Sequence, residues 1–388
     1  MKYLHLINDS LFTNFVFELF EQVNPGQNEY LIGINDDSGK LRHSKSGENV
    51  HVRKIRSVGY YDFLQHAHYD VLIVHFLHDF KAVAINKLKK NPLLIWLAWG
   101  GDIHGALLSG KLYQPETDKI VRRLYPAWKR NVKSFLREVF YFFSTGATAS
   151  TSYRKAVAKV DFCATVIPDE FDMLKENWDF FQAKQIPFAY ATIEDNLRNI
   201  KSEDTVDGNS ILIGNSIDAT SNHLDVLLKL KQLNILDRHL ILPMNYGEGL
   251  EYRAVVLEKG KEWFPQTFQP ILQLMKPEDY ASLLRKCNVA IMNHERQQAV
   301  GNLISLIWLG SKVFLSEKSP VYSFFRRSGI NIFSFQSDLT AEALATALTA
   351  EEIRQNREKL RQIYSKVSVL QKAQTLVKTV NSAALEVK

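Results

Sequence analysis

Two polar loops in the second half of the chain carry residue types that bind phosphate and sugar hydroxyls. The first, residues 214–216, follows a short apolar run and precedes a helical pattern that begins near Asn222. Gly214 lets a ligand approach the backbone, and free N–H groups at a helix start attract phosphate. A turn capped by Ser221 or Asn222 explains the same residues equally well, since neither a dinucleotide fingerprint nor a P-loop is present.

The second loop, residues 293–302, also follows an apolar strand pattern and precedes an apolar helix pattern. Packing does not require its unbroken polar run, which ends at Gln298. Arg296 offers a guanidinium that can bind phosphate through two hydrogen bonds, and Glu295 could bind ribose or sugar hydroxyls. We favour a binding loop over a solvated turn here. Tyr246, after another strand pattern, could contact a base or sugar, although residues 243–249 are also typical of a turn.

In the first half, residues 97–105 leave an apolar strand and include paired glycines at positions 100 and 101. Asp102 and His104 are the catalytic candidates, because either could take a proton from an acceptor hydroxyl or orient a base. A glycine-rich turn whose Asp102 caps the next segment explains the pattern equally well. His75 and His78 are weaker candidates, since a lone histidine at a strand end is more often a packed or exposed bystander.

A basic region between Val121 and Val160 contains nine Lys or Arg residues and one acid, Glu138. Apolar side chains recur there at spacings of three and four, which predicts an amphipathic helix at about residues 121–143. Such a helix could lie on an anionic membrane surface, although the pattern alone slightly favours a core-facing helix with a solvated basic edge. RNA binding is the weaker hypothesis, because no nucleic-acid module accompanies the charge. The residues expected to contact membrane or acceptor are Arg122, Arg123, Trp128, Lys129 and Arg130.

The elements that must position these loops are alternating strands and helices on both sides of a polar segment, residues 197–209. The sequence therefore predicts an α/β protein of two Rossmann-like, doubly wound domains with an interdomain cleft and C-terminal helices from Ala341 onward. We expect an acceptor-side domain at residues 1–200, including the basic helix, and a donor-binding domain at residues 209–388. The length of 388 residues, with 46% hydrophobic and 23% charged residues, is typical of two globular domains.

Composition excludes several classes of protein. No apolar run reaches the ~18 residues that a membrane-spanning helix needs, and the first residues are typical of a strand rather than a signal peptide. Cys163 and Cys287 lie far apart without metal-ligand spacing, which favours a reducing compartment such as the cytosol. The net charge of +6 is compatible with phosphate-rich ligands or an anionic surface.

Several segments together resemble one family, the bacterial TDP-N-acetylfucosamine:lipid II N-acetylfucosaminyltransferases of enterobacterial common antigen synthesis. They occur in matching order over about 200 residues. The chain departs from the family pattern at Gly101, where the family has alanine, and at His104, where it has an aromatic residue. The similar segments are residues 99–102, 124–126, 211–216, 221–223, 242–246, 280–287 and 296–298, with Gly301.

The resemblance implies a GT-B glycosyltransferase that moves a deoxyamino sugar from a TDP-sugar to an undecaprenyl-diphosphate-linked saccharide. It implies a peripheral protein at the cytoplasmic face of the bacterial inner membrane, with no metal or other cofactor and no nucleic-acid partner. Asp102 would be the base on the acceptor side. The residues expected to bind the donor are Gly214, Asn215, Ser216, Tyr246, Glu295, Arg296, Gln297, Gln298, Gly301 and Asn302.

Two other functions remain open at this point. A non-catalytic polysaccharide-assembly protein could keep the same fold and use its basic helix to dock on a membrane or partner. A nucleotide-sugar epimerase acting on UDP-N-acetylglucosamine could have a similar two-lobed shape. Release of a free sugar epimer without acceptor would identify the epimerase.

Overall fold

A computed structural model describes residues 1–10, 12–36, 38–107 and 112–386 of the chain. The chain divides into two compact units. Unit 1 comprises Met1–Leu107, Asn131–Ala191 and Lys366–Lys388, and unit 2 comprises Leu108–Arg130 and Thr192–Ser365.

The elements follow one another in the alternating order that the sequence predicts. The first half contains β1 (Tyr3–Asn8), α1 (Thr13–Val23), β2 (Asn28–Ile34), β3 (Val50–Lys54), α2 (Val58–His66), β4 (Val71–His75), α3 (Asp79–Asn86), β5 (Leu93–Leu97), α4 (Gly101–Leu107), α5 (Pro115–Leu124), α6 (Ala127–Thr145), α7 (Ala149–Val157), β6 (Phe162–Ala164), α8 (Pro168–Asn177), β7 (Lys184–Gln185) and α9 (Ile193–Asn196). The second half contains β8 (Ser210–Ile213), α10 (His223–Gln232), β9 (Leu240–Pro243), α11 (Leu250–Trp263), β10 (Phe268–Ile271), α12 (Pro277–Arg285), β11 (Cys287–Met292), α13 (Val300–Leu309), β12 (Lys312–Leu315), α14 (Pro320–Arg327), β13 (Phe333–Ser334), α15 (Ala341–Ala345), α16 (Ala350–Tyr364) and α17 (Lys366–Glu386).

Each unit is built on one parallel sheet. Unit 1 has the strand order β3-β2-β1-β4-β5-β6-β7, and unit 2 has the order β10-β9-β8-β11-β12-β13. In both sheets the chain winds outward in one direction from the first strand and then returns to wind in the other direction. This is the doubly wound topology, and its switch points lie between β1 and β4 in unit 1 and between β8 and β11 in unit 2.

The central strands β1, β4 and β5 of unit 1 are largely apolar because both faces of the sheet are covered there. Leu4, Leu6 and Trp96 belong to the core on one face. Tyr3 and Ile7 belong to the core on the other face. Alternate side chains of one strand therefore point into two different cores.

The last helix is not part of the unit that precedes it in the chain, contrary to the predicted domain at residues 209–388. Its apolar side chains Val369, Ala373 and Leu376 are buried in the core of unit 1 with Val16 and Phe20 of α1. An apolar stripe on a helix must be covered, and the sheet face of unit 1 supplies that cover.

The other boundaries also differ from the predicted ones. Residues 108–130 belong to unit 2, where Val121 of α5 is buried in the core. The chain next enters unit 2 at Thr192, ahead of the predicted linker at residues 197–209. That segment has no regular structure, but it holds the buried side chains of Leu197 and Ile200 and belongs to unit 2.

The predicted basic helix at residues 121–143 is two helices. α5 ends at Leu124, and α6 begins at Ala127. Pro126 causes the break, because proline disfavours the helical conformation in the residue before it and has no N–H to donate. Tyr125 accordingly lies outside the helical region, with φ −124° and ψ 71°.

Candidate functional site

The two predicted binding loops of unit 2 lie side by side at its switch point. β8 and β11 are neighbouring parallel strands, with Ile213 opposite Ile291. Residues 214–216 follow β8, and residues 293–299 follow β11. The backbone N–H of Gly214 donates to the carbonyl of Ile291 at 3.0 Å. The carboxyl ends of strands flanking a switch point form the crevice in which open α/β sheets bind ligands.

Side-chain hydrogen bonds join three loops of this edge into one network. The Asn215 side chain donates to the Tyr246 hydroxyl at 2.6 Å. The Gln298 amide donates to Asn215 Oδ1 at 2.8 Å and to Ser216 Oγ at 3.4 Å. Thr220 Oγ1 donates to Gln298 Oε1 at 3.0 Å. The structure therefore brings together four of the predicted donor residues from the loops after β8, β9 and β11.

Gly214 is a position that no other residue fits without strain. Its φ of +64° lies in the left-handed region, which side chains with a Cβ rarely adopt. A Cβ there would lie 2.7 Å from His223 Nε2 and 3.1 Å from Ser221 Cβ. The loop therefore stays close to the histidine at the start of α10 only because residue 214 is glycine.

Two helices begin at this edge without a side-chain cap. Asn222, which precedes α10, has φ +51°, and Ala299, which precedes α13, has φ +59°. The Asn222 side chain donates instead to the carbonyl of Asn293 at 2.8 Å, which links the two loops. The first N–H groups of an α-helix have no partner within the helix, and the macrodipole adds positive potential there. Left-handed backbone at a non-glycine residue such as Ala299 is typical of functional sites.

The two histidines at this edge are neutral near pH 7. Burial lowers the pKa of His223 to about 3. Burial, together with the charge of Arg296, holds the pKa of His294 well below its usual value. The His294 ring lies 3.3 Å from the Ser221 hydroxyl. Positive charge at the edge therefore comes from Arg296 and the start of α13 rather than from imidazolium groups.

The remaining predicted donor residues occupy different surroundings. Glu295 is buried and pairs with Lys318, whose Nζ lies 3.2 Å from its Oε1. Gln297 is also buried. A Cβ at Gly301 would lie 2.7 Å from Asn196 Oδ1. Asn302 hydrogen-bonds the Tyr280 side chain.

Sequence reasoning missed a buried amide pair that braces the loops. The side chains of Gln114 and Asn293 donate to each other reciprocally, at 2.8 Å in both directions. The backbone N–H of Gln114 also donates to Asn222 Oδ1 at 2.9 Å. Asn293 belongs to the polar run that marked the loop, but nothing near Gln114 indicated a contact with residues more than a hundred positions away.

In unit 1, Asp102 holds its own loop together. Its Oδ2 accepts from the Trp96 indole at 2.8 Å and from the Leu77 N–H at 2.9 Å, and its Oδ1 accepts from the Trp99 N–H at 2.9 Å. Burial raises the pKa of Asp102 to about 6, against the opposing effect of these bonds. The carboxylate also accepts from the N–H of Asp102 itself, so four hydrogen bonds engage its two oxygens. Its predicted function as a base stays a prediction.

His104, the other predicted catalytic residue, forms a buried pair with Glu170. Its Nε2 lies 2.8 Å from Glu170 Oε1, and the side chains are 1% and 0% exposed. Because both side chains are buried in unit 1, each serves as the polar partner that the other needs there. Its predicted catalytic function is likewise untested.

Helix α6 exposes a large apolar face, which we call the α6 patch. One side of α6 is fixed to unit 1 by the buried Tyr141 and by Arg137, whose guanidinium lies 2.7 Å from the Asp79 carboxylate. The basic residues at positions 122, 123, 129 and 130 are exposed, and Arg122 pairs with Asp118 at 2.6 Å. Large contiguous patches of exposed apolar side chains mark sites of contact with membranes or other proteins. The patch comprises Trp128, Val132, Phe135, Leu136, Phe140, Phe142 and Phe143.

Two properties of the described residues bear on ligands and membranes. No group of three His, Cys, Asp or Glu side chains among them could hold a metal ion. None of the helices in the described ranges is both long and apolar enough to cross a bilayer.

Comparisons with known proteins give a family and a fold. Residues 173–374, more than half of the chain, match the family described as 4-alpha-L-fucosyltransferase glycosyl transferase group 56. Sucrose-phosphate synthase from Thermosynechococcus elongatus has a TM-score of 0.63 at 11% identity, covering 99% of this chain and 100% of its own. The alpha,alpha-trehalose 6-phosphate synthase of Burkholderia multivorans has a TM-score of 0.61 at 9% identity, covering 100% and 97%. An E. coli trehalose-6-phosphate structure bound with UDP-2-fluoro glucose has a TM-score of 0.62 at 8% identity, covering 98% and 99%. These likenesses confirm the GT-B fold.

Proposed function

The chain belongs to the 4-alpha-L-fucosyltransferase family, glycosyl transferase group 56, and we propose that it transfers a deoxyamino sugar of the 4-acetamido-4,6-dideoxygalactose type. The donor in this proposal is a TDP-sugar, and the acceptor is an undecaprenyl-diphosphate-linked saccharide. The protein is a glycosyltransferase; the donor, the acceptor and the membrane location are the proposed part.

One observation carries the proposal for the donor. The loops after β8 and β11 meet at the switch point of unit 2, where α13 begins without a side-chain cap. Backbone N–H groups at helix starts suit a diphosphate, because they supply donors without a mobile side chain. Tyr246, which is 49% exposed and bonded to Asn215, supplies a ring and a hydroxyl suited to the base or sugar. A fold relative bound to a UDP-sugar supports the same class of donor.

The chemistry requires that negative charge on the departing diphosphate be stabilised as the glycosidic bond breaks. The start of α13 and the Arg296 guanidinium are the groups that we assign to this task. Because both histidines at the edge are neutral, they would contact the donor as hydrogen-bonding groups rather than as charges. We propose that the transfer is independent of metal, and we expect it to persist in EDTA.

The α6 patch supports the proposal of a membrane-bound acceptor. Phe135 and Phe143 are 67% and 83% exposed, and Lys129 and Arg130 lie on the same helix. Aromatic and basic side chains on one exposed helix suit an anionic lipid surface, where each basic residue contributes about 1 kcal/mol. We propose that α6 docks on the cytoplasmic face of the inner membrane.

The proposed function is tested by transfer of labelled sugar from TDP-4-acetamido-4,6-dideoxygalactose to a lipid-linked saccharide. We expect transfer by the wild type and loss of transfer in Arg296→Ala. Binding of TDP without any transfer or donor hydrolysis would favour the non-catalytic assembly protein instead. Release of an epimerised free sugar would favour the epimerase.

The membrane part is tested separately by co-sedimentation with vesicles. A Trp128→Ser, Phe135→Ser double variant should lose binding to phosphatidylglycerol vesicles. The control, Val58→Ser with Leu274→Ser, alters two apolar residues outside α6 that are even more exposed, and it should keep binding. Wild-type binding should weaken with added salt. Binding that is absent, or equal to phosphatidylcholine vesicles, would remove the membrane from the proposal.

A further inference from the structure

A polar cavity lies at the switch point of the sheet in unit 1. β1 and β4 are parallel neighbours, with Leu6 opposite Val74, and the cavity opens at their carboxyl ends. Its volume is about 360 Å³, within the range of ~300–1,000 Å³ typical of small-molecule sites. The side chains that matter to its chemistry are Asp9, Asp36, Lys40, Arg42, His78 and Phe80.

Asp9 holds the β2–β3 loop over this cavity. Its carboxylate accepts from the backbone N–H groups of Arg42 at 2.5 Å, His43 at 3.1 Å and Ser44 at 2.8 Å. Burial opposes ionisation, but these bonds and the one from the Ser44 hydroxyl lower the pKa of Asp9 below its usual value. Asp9 is therefore a positioning residue that fixes where Lys40 and Arg42 stand.

The charged groups at the cavity keep unused hydrogen-bonding capacity. Lys40 and Arg42 are exposed, and within the described ranges no hydrogen bond or ion pair engages the Lys40 ammonium or the Arg42 guanidinium. Asp36 accepts from the Ser38 N–H and hydroxyl through Oδ1 alone. The cavity thus offers donors and an acceptor together, which suits a ligand that has many hydroxyls.

An aromatic wall adjoins these charges. The His78 and Phe80 rings lie 4.2 Å apart, and Phe76 connects His78 to Trp99 at 5.5 and 5.9 Å between ring centroids. Burial lowers the pKa of His78 to about 3, so its ring is uncharged near neutral pH. Charged groups beside ring faces match a saccharide, which has hydroxyl edges and apolar C–H faces.

We infer that this cavity binds the saccharide end of the acceptor, with Lys40 and Arg42 donating to its oxygen atoms and Asp36 accepting from its hydroxyls. The carboxylates of Asp9 and Asp36 make the cavity less suited to the acceptor diphosphate, since like charges repel. The inference rests on the proposed function in one respect only, that the acceptor is a saccharide.

The test compares two double variants of the full chain that remove equal charge. Lys40→Ala with Arg42→Ala alters the cavity, and Lys159→Ala with Lys175→Ala alters exposed lysines of unit 1 away from it. The cavity variant should raise the KM for acceptor about tenfold or more, because charge-assisted hydrogen bonds are lost, with the KM for donor unchanged. The control variant should change neither KM.

Direct binding keeps the inference testable if transfer cannot be assayed. Saturation-transfer NMR would be recorded with a neutral and an acidic N-acetylhexosamine disaccharide in the absence of donor. Binding of either disaccharide to the wild type that is lost in the cavity variant supports the inference. An unchanged acceptor KM in the cavity variant, or no difference in disaccharide binding between it and the control, overturns it. Failure of TDP binding and transfer with intact disaccharide binding would instead count against the proposed function.

Discussion

The two sheets share one topology but differ in how their loops use it. In unit 2 the loops after the switch strands β8 and β11 contain most of the predicted donor residues, and Gln298 hydrogen-bonds both Asn215 and Ser216. In unit 1 the predicted catalytic residues follow β5, one strand away from the switch pair β1 and β4. Asp102 there is occupied by its own loop, whereas the cavity lies beside the switch strands. In a doubly wound sheet, ligands bind at the carboxyl ends of the strands that flank the switch point. The position of a loop relative to that point is therefore a better guide to a binding site than the presence of glycine, aspartate or histidine in it.

The largest effect in this comparison of the two units is expected when Asp102 of unit 1 is replaced. Asp102→Ala leaves the Trp96 indole and two backbone N–H groups buried without an acceptor, at a cost of about 3 kcal/mol or more in the free energy of unfolding. Urea unfolding measures this, with Asp172→Ala on the exposed face of α8 as the control. A loss of transfer with full stability would instead make Asp102 a base and not a structural residue.

The pH dependence of stability should report the same carboxylate. Because the pKa of Asp102 is raised to about 6 in the folded protein, the folded state binds more protons than the unfolded state between about pH 4 and pH 6. Its contribution to stability is therefore fully present below pH 4 and lost as the pH rises through 6. Urea unfolding of wild type and Asp102→Asn at pH 4 and pH 7 should show that the wild type loses more stability over this interval. Equal losses would show that Asp102 does not titrate in that window.

At the donor edge, Gln298→Ala should weaken TDP binding about tenfold while leaving the fold intact. The variant removes the amide that joins Asn215, Ser216 and Thr220. Each lost hydrogen bond costs a net of about 0.5–1.5 kcal/mol, and together these losses correspond to about a tenfold loss of TDP affinity. Calorimetry with TDP measures the change. Gln232→Ala, on the exposed end of α10, is the matched control. Equal affinity in both variants would separate the network from donor binding.

The smallest expected effect belongs to the Tyr246 hydroxyl. Tyr246→Phe keeps the ring and removes one hydrogen bond to Asn215, so TDP affinity should fall only about threefold. Tyr246→Ala should cost more than this because the ring is lost as well. If the phenylalanine and alanine variants bound TDP equally, the ring would have no part in holding the donor.

The two loops that we propose to bind the donor could be located from the sequence because their signals are local. Short apolar strands lead directly into polar loops, and the positions of Gly214 and Gln298 follow from the chain on either side of them. The cavity in unit 1 depends on pairs that are distant in sequence, such as Asp9 with the N–H groups of residues 42–44. β3 also escaped prediction, since Val50–Lys54 is a partly exposed edge strand with polar residues rather than an apolar run.

The boundaries between the units could not be predicted for the same reason. Nothing local to α17 indicates that Ala373 and Leu376 are buried with residues of α1, more than 350 positions earlier in the chain. The break at Pro126, by contrast, was readable, because proline restricts its neighbour whatever the tertiary context.

Titration of TDP into two glycine variants tests the central claim most directly. Gly214 and Gly26 have nearly the same left-handed φ, +64° and +68°, but a Cβ would clash with His223 at Gly214 and meet nothing within 4 Å at Gly26. Both alanine variants should lose stability through backbone strain, by roughly 1 kcal/mol. We predict that the wild type and Gly26→Ala bind TDP with equal affinity and that Gly214→Ala binds at least about tenfold more weakly. Equal TDP affinity in all three proteins, or no TDP binding by the folded wild type, would contradict the assignment of the donor to the switch point of unit 2.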